Sequence, residues 1–563
     1  MTESNDKPRV SLIQRIRSKW IQADLSVRIT FIAMVVSYFG VLFSGLCARE
    51  PMVADEVVHY YMLVTQAEKL PGPNVDVNIP MSGWVYHRYY PHVFLWHYVG
   101  AFIWLVCGKT FWSVQVYQSL FWLQLLLSMW VLARLVMPKN PWAICLSMVM
   151  LASLPMGQLF SVLLFQDVPA TAQIVTAFLF LRRRQMFSSL ILMGIAMSMK
   201  VTVFVVLPIY FLCMVLFFWR YESHWRTVLR LAVGMTIIIG LCIPMALTLK
   251  KMGWNYYPLS AVEQYLAQFG ILKNAEQIWQ RPIAGEDDVP VVPQQAQVPP
   301  VKVLEKPEIC NHPGDLRIAQ NWLIYFGGVF WGVVLAGMIG MALAFLKLGE
   351  EPRGETWPLM VGIWCLVVIA GHMRTAPDAR FFLPAFPFII MGISGFAVMF
   401  PGRRFWFPLV LVAAFLQSGV VLSKTISLRH ISPAMREALD FLKKENKGHN
   451  YFMYPEGHER FIPGTTDWYL DRSLRDFWRA NNDTRITMLA HFKMRYIVIK
   501  KHKIRDVDAN TPDLGVYPEF FVEDIKRDSR FQKLFENSAV IIFLVPENAA
   551  KEGQQKAMGR LIN

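Results

Sequence analysis

Eleven apolar runs punctuate this chain, at roughly 29–47, 110–136, 141–165, 168–181, 187–199, 201–218, 231–249, 322–346, 357–372, 381–400 and 405–424. Their lengths centre on the ~20 residues that carry a helix across a bilayer. In hydrocarbon only helices and closed barrels satisfy their own backbone. The pattern therefore restricts the chain to a multi-pass α-helical membrane protein with about eleven transmembrane helices. Composition agrees: 54% of the 563 residues are hydrophobic and 17% are charged, against about 25% charged in an average soluble domain.

A further apolar run, 91–107, contains Phe94, Trp96, His97, Tyr98 and Trp104. Charge decides its place. If it lies along the membrane, the N-terminal arm, Arg134/Lys139, Arg182-Arg183-Arg184, Arg220/Arg226/Arg230, Lys347/Arg353 and Arg403-Arg404 all fall on one side. That is the positive-inside pattern. If it crosses, every later cluster moves away from the side of the arm. The run is accordingly read as an interfacial helix. The net charge of +15 is then explained by basic loops against an anionic leaflet. No basic stripe is interleaved with exposed aromatic residues, which argues against nucleic acid as a partner. The seven cysteines lie mostly inside apolar runs and form no CxxC pair, so neither a zinc site nor a disulfide framework is indicated.

This topology predicts three parts. Residues 1–28 form a cytoplasmic amphipathic arm, in which Val10, Leu12, Ile13, Ile16 and Trp20 alternate with Arg9, Arg15, Arg17 and Lys19. Such a stretch suits a helix on the membrane surface and equally a positive flank to the first span. Residues 29–424 form the transmembrane domain, with outer loops at 48–109 and 250–320. Residues 425–563 turn charged and polar, and are read as a small α/β domain on the periplasmic or lumenal side. There 433–446 has helical apolar spacing, while 451–454, 495–500 and 539–545 read as strands. The proline-rich insert 286–308 holds too little apolar residue for a core; a substrate lid and a plain insert both fit it.

Charged residues at the outer ends of the spans carry the chemistry. Asp55-Glu56 opens the first outer loop, with His59 one helical turn on. A carboxylate there suits a general base on an acceptor hydroxyl; it also suits a helix N-terminus. Asp167 sits in the turn Gln166-Asp-Val-Pro and Lys200 between two apolar runs, positions also open to an N-cap and a snorkelling cation. His372, Arg374, Asp378 and Arg380 precede a late span on the outer side, against the positive-inside rule. Arginines placed there call for a partner, and phosphate is a fitting one; Asp378 is another. Taken together, acids and bases at one level suit transfer from a phosphate-linked lipid, with cations on the leaving phosphate and a carboxylate on the acceptor. Trp84, Tyr86, Tyr89 and Tyr90 could stack on sugar rings or form an aromatic belt.

In this order the motifs resemble those of the GT-C superfamily of membrane glycosyltransferases, and more closely those of protein O-mannosyltransferases and lipid A aminoarabinose transferases. The resemblance rests on the Asp55-Glu56 pair, an interfacial segment headed by Tyr90-Pro91, the Asp167-Val-Pro turn, Lys200 after Gly194-Ile-Ala-Met-Ser-Met, and Asp378-Ala-Arg-Phe-Phe-Leu-Pro384. It implies a polyprenyl-phosphate-linked sugar donor, Asp55 as the catalytic base, and inverting displacement at the anomeric carbon. It also implies a hexosyl or pentosyl transferase with Asp55, Glu56 and Asp167 catalytic, Asp167 helping to form the acceptor or metal-side pocket. His59, Tyr90, Lys200, His372, Arg374, Asp378 and Arg380 would contact substrate, Lys200 and Arg380 at the lipid phosphate. No metal and no other cofactor is expected. The partners implied are membrane lipids and a glycan, lipid or protein acceptor. The setting expected is a bacterial inner membrane with the site facing the periplasm. Two motifs point to different sugars: His59 after Asp-Glu is similar to dolichyl-phosphate-glucose users, and Asp378–Pro384 to dolichyl-phosphate-mannose users. The insert 286–308 matches neither.

Two other classes compete. A transporter or lipid flippase would carry mid-membrane ionisable groups, broken helices and repeat symmetry; here charges sit at span ends and no repeat is visible. A non-catalytic assembly subunit would tolerate changes at 55, 167, 200 and 380.

Overall fold

The computed structural model of the chain describes residues 23–48, 54–71, 95–200, 203, 206–221, 224–251, 383–398, 401–428, 432–446, 450–454, 477–491, 494–507 and 517–546. Helices dominate: α1 (Leu25–Leu46), α2 (Ala54–Glu68), α3 (Leu95–Val106), α4 (Phe111–Val136), α5 (Pro141–Ala152), α6 (Pro155–Val162), α7 (Asp167–Arg182), α8 (Met186–Met199), α9 (Leu207–Tyr221), α10 (His224–Lys251), α11 (Phe386–Ala397) and α12 (Arg403–Leu428). The expected spans 322–346 and 357–372 lie outside the described residues, as do the insert 286–308 and most of the arm 1–28. Among the described residues α1, α4 and most of α12 suffice by length and composition to cross a membrane, and α5 with α6 would make a fourth span. Helix α3, at 12 residues, reaches about 18 Å at 1.5 Å per residue. That is short of the ~30 Å hydrocarbon core, as are the described lengths of α8 and α11.

The chain divides into two compact units: Met1–Leu46, Gln115–Arg281 and Glu308–Lys424 form one, and Cys47–Val114, Pro282–Pro307 and Thr425–Asn563 the other. In the first, the expected single span 141–165 is two helices, α5 and α6, bent by 48°. Pro155 is the cause. It has no N–H for the carbonyl four residues back and its ring clashes there, whereas at the first position of a new helix it is at home. The carbonyls released at the bend are taken up by side chains from elsewhere in the unit. Ser37 Oγ (2.6 Å) and Gln158 Nε2 (2.7 Å) donate to Ala152 O, and Gln417 Nε2 (3.0 Å) donates to Ser153 O. Trp122 Nε1 donates to Ser37 Oγ at 3.0 Å. The Trp122 ring lies so near Gly157 that a Cβ there would come within 2.7 Å of it, so α6 needs glycine at that point.

A second break follows, before α7. Gln118 Nε2, from α4, lies 2.9 Å from Phe160 O, 3.2 Å from Leu163 O and 2.8 Å from Phe165 O. Helix α7 then runs through the centre of the unit, buried on all sides from Asp167 to Leu179. Its polar residues bond across to α4. Gln124 and Gln173 exchange amide hydrogen bonds (3.2 and 3.0 Å), and Gln124 Nε2 also donates to Thr176 Oγ1 (3.1 Å). The Thr176 hydroxyl meets Ser128 Oγ at 2.8 Å.

In the second unit α2 packs on α3. Farther along the chain, α13 (Pro433–Asn446), β1 (Asn450–Tyr454), α14 (Asn482–His491), β2 (Met494–Lys500), β3 (Ile504–Arg505), β4 (Tyr517–Pro518), α15 (Glu519–Arg527), β5 (Gln532–Glu536) and β6 (Val540–Leu544) follow. Four strands form one sheet in the order β1-β2-β6-β5, with β1 and β2 parallel and the other pairs antiparallel. Alternation along the strands gives the sheet two apolar faces. Ile497, Ile499, Ile541 and Phe543 join one cluster with Leu489, Phe521 and Ile525 of α14 and α15. Tyr496, Val498, Val540 and Ile542 join the other with Met435, Ala438, Leu439 and Leu442 of α13. Burial on both faces explains why these strands read as continuous apolar runs.

Candidate active site

Asp167 is the first residue of α7, and Lys200 caps the end of α8. The two helices form a hairpin whose turn is built by Arg184, at φ 62°. There Gln185 N–H donates to Phe180 O and Arg184 N–H to Leu181 O, both at 2.9 Å, a pattern that ends a helix in the left-handed conformation. With 16 and 14 residues the two arms are nearly equal, so the start of α7 returns to the end of α8. There Lys200 Nζ forms an ion pair with Asp167 Oδ1, the side chains being 11% and 3% exposed. The basic triplet Arg182–Arg184 occupies the opposite end, about 24 Å away along α7.

Thr171 Oγ1 donates to the main-chain carbonyl Asp167 O at 2.7 Å, a bond within the first turn of α7. The helix N-terminus favours a negative charge, and Gln118 fixes the break just before it. Ionisable groups at buried positions in a membrane helix are costly and ordinarily functional.

The acid pair of the first outer loop opens α2, with Asp55 as its second residue. Glu56 is 0% and His59 2% exposed. They share one face with Met62, Leu63, Gln66 and Ala67, all buried, which is the i, i+3, i+4 spacing of a helix stripe. Glu56 and His59 both lie on that buried stripe. His59 Nδ1 lies 3.0 Å from His97 Nε2 of α3. Trp96, fully buried, meets both rings edge-on. Beside them Trp104 Nε1 donates to Tyr60 OH at 3.2 Å; burial raises the Tyr60 phenol above its ordinary range and that hydrogen bond works against the rise. Tyr98 OH donates to Pro71 O at 2.9 Å.

Of the expected site residues, Asp167 and Lys200 are thus brought together in the first unit. Asp55, Glu56 and His59 stand on one helix of the second. Tyr90, His372, Arg374, Asp378 and Arg380 lie outside the described residues. Sequence reasoning missed His97 and Gln118. A histidine in the apolar stretch Leu95-Trp-His-Tyr-Val and a glutamine in the apolar α4 were the available signals. Among the described residues no three His, Cys, Asp or Glu side chains are placed to hold a metal ion.

No family model and no curated protein matches the chain. Solved structures do. The oligosaccharyltransferase of Archaeoglobus fulgidus in its apo form superposes with a TM-score of 0.57 at 13% identity, over 86% of this chain and 70% of that one. The same archaeal oligosaccharyltransferase, AglB, in complex with an inhibitory peptide and a dolichol-phosphate gives 0.53 at 14%, over 85% and 70%. ArnT from Cupriavidus metallidurans in the apo state gives 0.51 at 14%, over 95% of this chain and 99% of that one. The chain therefore has a fold similar to that of the archaeal oligosaccharyltransferase and ArnT.

Proposed function

We propose that this chain is an integral-membrane glycosyltransferase that moves a hexosyl or pentosyl group from a polyprenyl-phosphate-linked donor to a glycan, lipid or protein acceptor on the periplasmic or lumenal side. The observation that carries the reading is the buried Asp167–Lys200 pair, a carboxylate and a cation set at the end of a membrane hairpin in a GT-C fold. In this reading Asp55 takes the proton of an acceptor hydroxyl, whose oxygen attacks the anomeric carbon from the face opposite the phosphate. The bond from carbon to phosphate oxygen breaks with inversion, and the electron pair leaves on the polyprenyl phosphate. Lys200 and Arg380 stabilise that developing charge, with His372 and Arg374 nearby in sequence. Glu56 and Asp167 complete the acidic set, and His59, Tyr90 and Asp378 line the substrate. Cationic side chains do the work that a divalent ion would do, so the reaction is proposed to run without a metal. The membrane proposed is a bacterial inner membrane.

The test is sugar release from radiolabelled polyprenyl-phosphate-sugars by membranes carrying the wild-type chain or Asp55→Asn. Loss of the general base should lower turnover by about 10²- to 10⁴-fold. Turnover that survives intact removes Asp55 from the chemistry and moves the base to Glu56 or Asp167.

A further inference from the structure

We infer that Asp167 competes with the donor's phosphate for Lys200, so that the Asp167–Lys200 ion pair acts as a latch on the donor site. The inference rests on the reading of Lys200 as a phosphate contact and assigns Asp167 a role in substrate exchange. The two partners differ in freedom. Asp167 is anchored in the first turn of α7, with its own carbonyl engaged by Thr171 and Gln118 bonded to the carbonyl two residues before it. Lys200 ends α8 in extended backbone, φ −148° and ψ 128°, and carries four rotatable side-chain bonds. Its side chain is also the more accessible, 11% against 3%. An incoming anion therefore draws Lys200 away while Asp167 stays behind.

Leaving Asp167 costs free energy, because a buried carboxylate that loses its cation is poorly compensated. A lysine ammonium is a compact point charge, so the phosphate and Asp167 contend for the same head group. The contest changes during the reaction. The donor's phosphate is a diester with one negative charge, and the polyprenyl phosphate released is a monoester that approaches two near neutral pH. The pull on Lys200 is therefore weakest towards the bound donor and grows as the sugar departs, which is the differential stabilisation that speeds a step. Competition from Asp167 for the same head group then weakens the hold on the product, and Lys200 returns to Asp167 as the product leaves. A site occupied only after its latch opens has its apparent affinity lowered by the fraction open. Neutralising Asp167 should thus tighten binding, the opposite of what a carboxylate that merely shapes the pocket would do.

The experiment is direct binding of undecaprenyl phosphate to the full-length protein in detergent, followed by tryptophan fluorescence. Wild type is compared with Asp167→Asn, Asp167→Ser, Asp167→Glu and Lys200→Gln. Both neutral variants should bind on the order of 10-fold more tightly than wild type, Asp167→Glu should stay within about twofold of it, and Lys200→Gln should bind more weakly. Serine suits a helix start, so a neutral variant remains should asparagine impair folding. Neutral variants that bind as wild type does, or less well, overturn the competition while leaving Lys200 as the phosphate contact. Binding in Lys200→Gln equal to that of wild type, or none in any form of the protein, overturns the donor-site reading itself.

Discussion

In the helical unit, main-chain groups released at breaks are claimed by side chains from distant parts of the sequence. Ser37, Gln158 and Gln417 serve the bend at residues 152–155, and Gln118 serves the break before α7. In the sheet of the second unit the strands satisfy one another, and side chains are left to build two apolar layers. One deeply buried charge there, Arg485, is 1% exposed and does with a cation what amides do in the helical unit. It donates to Phe477 O at 3.1 Å and Trp478 O at 2.6 Å, pairs with Asp524 at 3.1 Å, and lies over the Phe521 ring. The difference follows from the surroundings. A membrane helix breaks only where a neighbour meets its freed groups, so in the helical unit neutral amides specify where the chain bends. In the sheet of the second unit, a charged group ties segments together because an exposed acidic partner, Asp524, stands at its outer end.

The comparison breaks or sharpens on three measurements. Arg485→Met keeps bulk and removes the bonds to two carbonyls and Asp524. We expect a loss of about 3 kcal/mol, read as a lower thermal midpoint and faster hydrogen exchange in α14 and β2. A loss below about 1 kcal/mol would mean that packing alone ties these segments. Gln118→Leu should cost about 1–2 kcal/mol and speed exchange at 160–166 without touching the sheet. Unchanged exchange there would remove the glutamine from its role at the break.

The smallest effect is acidic. Glu536 is pushed down to about 2 by Lys501 and then Lys533, and Asp528 is lowered by its hydrogen bond with Arg530. Both carboxyls have lower pKa values folded than unfolded. Their stabilisation is present above the unfolded value, about 4.3 for a glutamate, and for Glu536 it is lost as pH falls from there towards 2. Both are solvent-facing pairs, so the loss should stay below about 1 kcal/mol. Denaturant unfolding followed by the β circular dichroism signal should show a stability lower by no more than that amount on the acid side of that window, while the amide-held bends, which carry no titrating group, show no such change.

Much of the architecture is legible in local spacing. The helix read at 433–446 has the same bounds as α13, and the β-branched runs at 495–500 and 539–545 fall within a residue or so of β2 and β6, since burial on both faces leaves an unbroken apolar signal. The bend in 141–165 was written as Leu154-Pro155, yet hydropathy averages over a single proline. Gln118 was illegible for another reason: its acceptors lie more than 40 positions away, and only the packed unit brings them near. In the candidate site the sequence marks Asp167 and Lys200 separately at span ends and gives them separate tasks. Their pairing depends on α7 and α8 having nearly equal lengths, a tertiary fact. His59 and His97 meet for the same reason, through the packing of α2 on α3.

The reciprocal amides of Gln124 and Gln173 set a length scale. Two carboxamides that each give and take a hydrogen bond fit in one alignment only, and sliding α7 along α4 by a single residue, about 1.5 Å, breaks both bonds at once. The clasp therefore works as a vernier. Gln173 lies six positions, or about 9 Å along the axis, from Asp167, so the depth at which this carboxylate meets its cation is gauged by two uncharged glutamines deeper in the bundle.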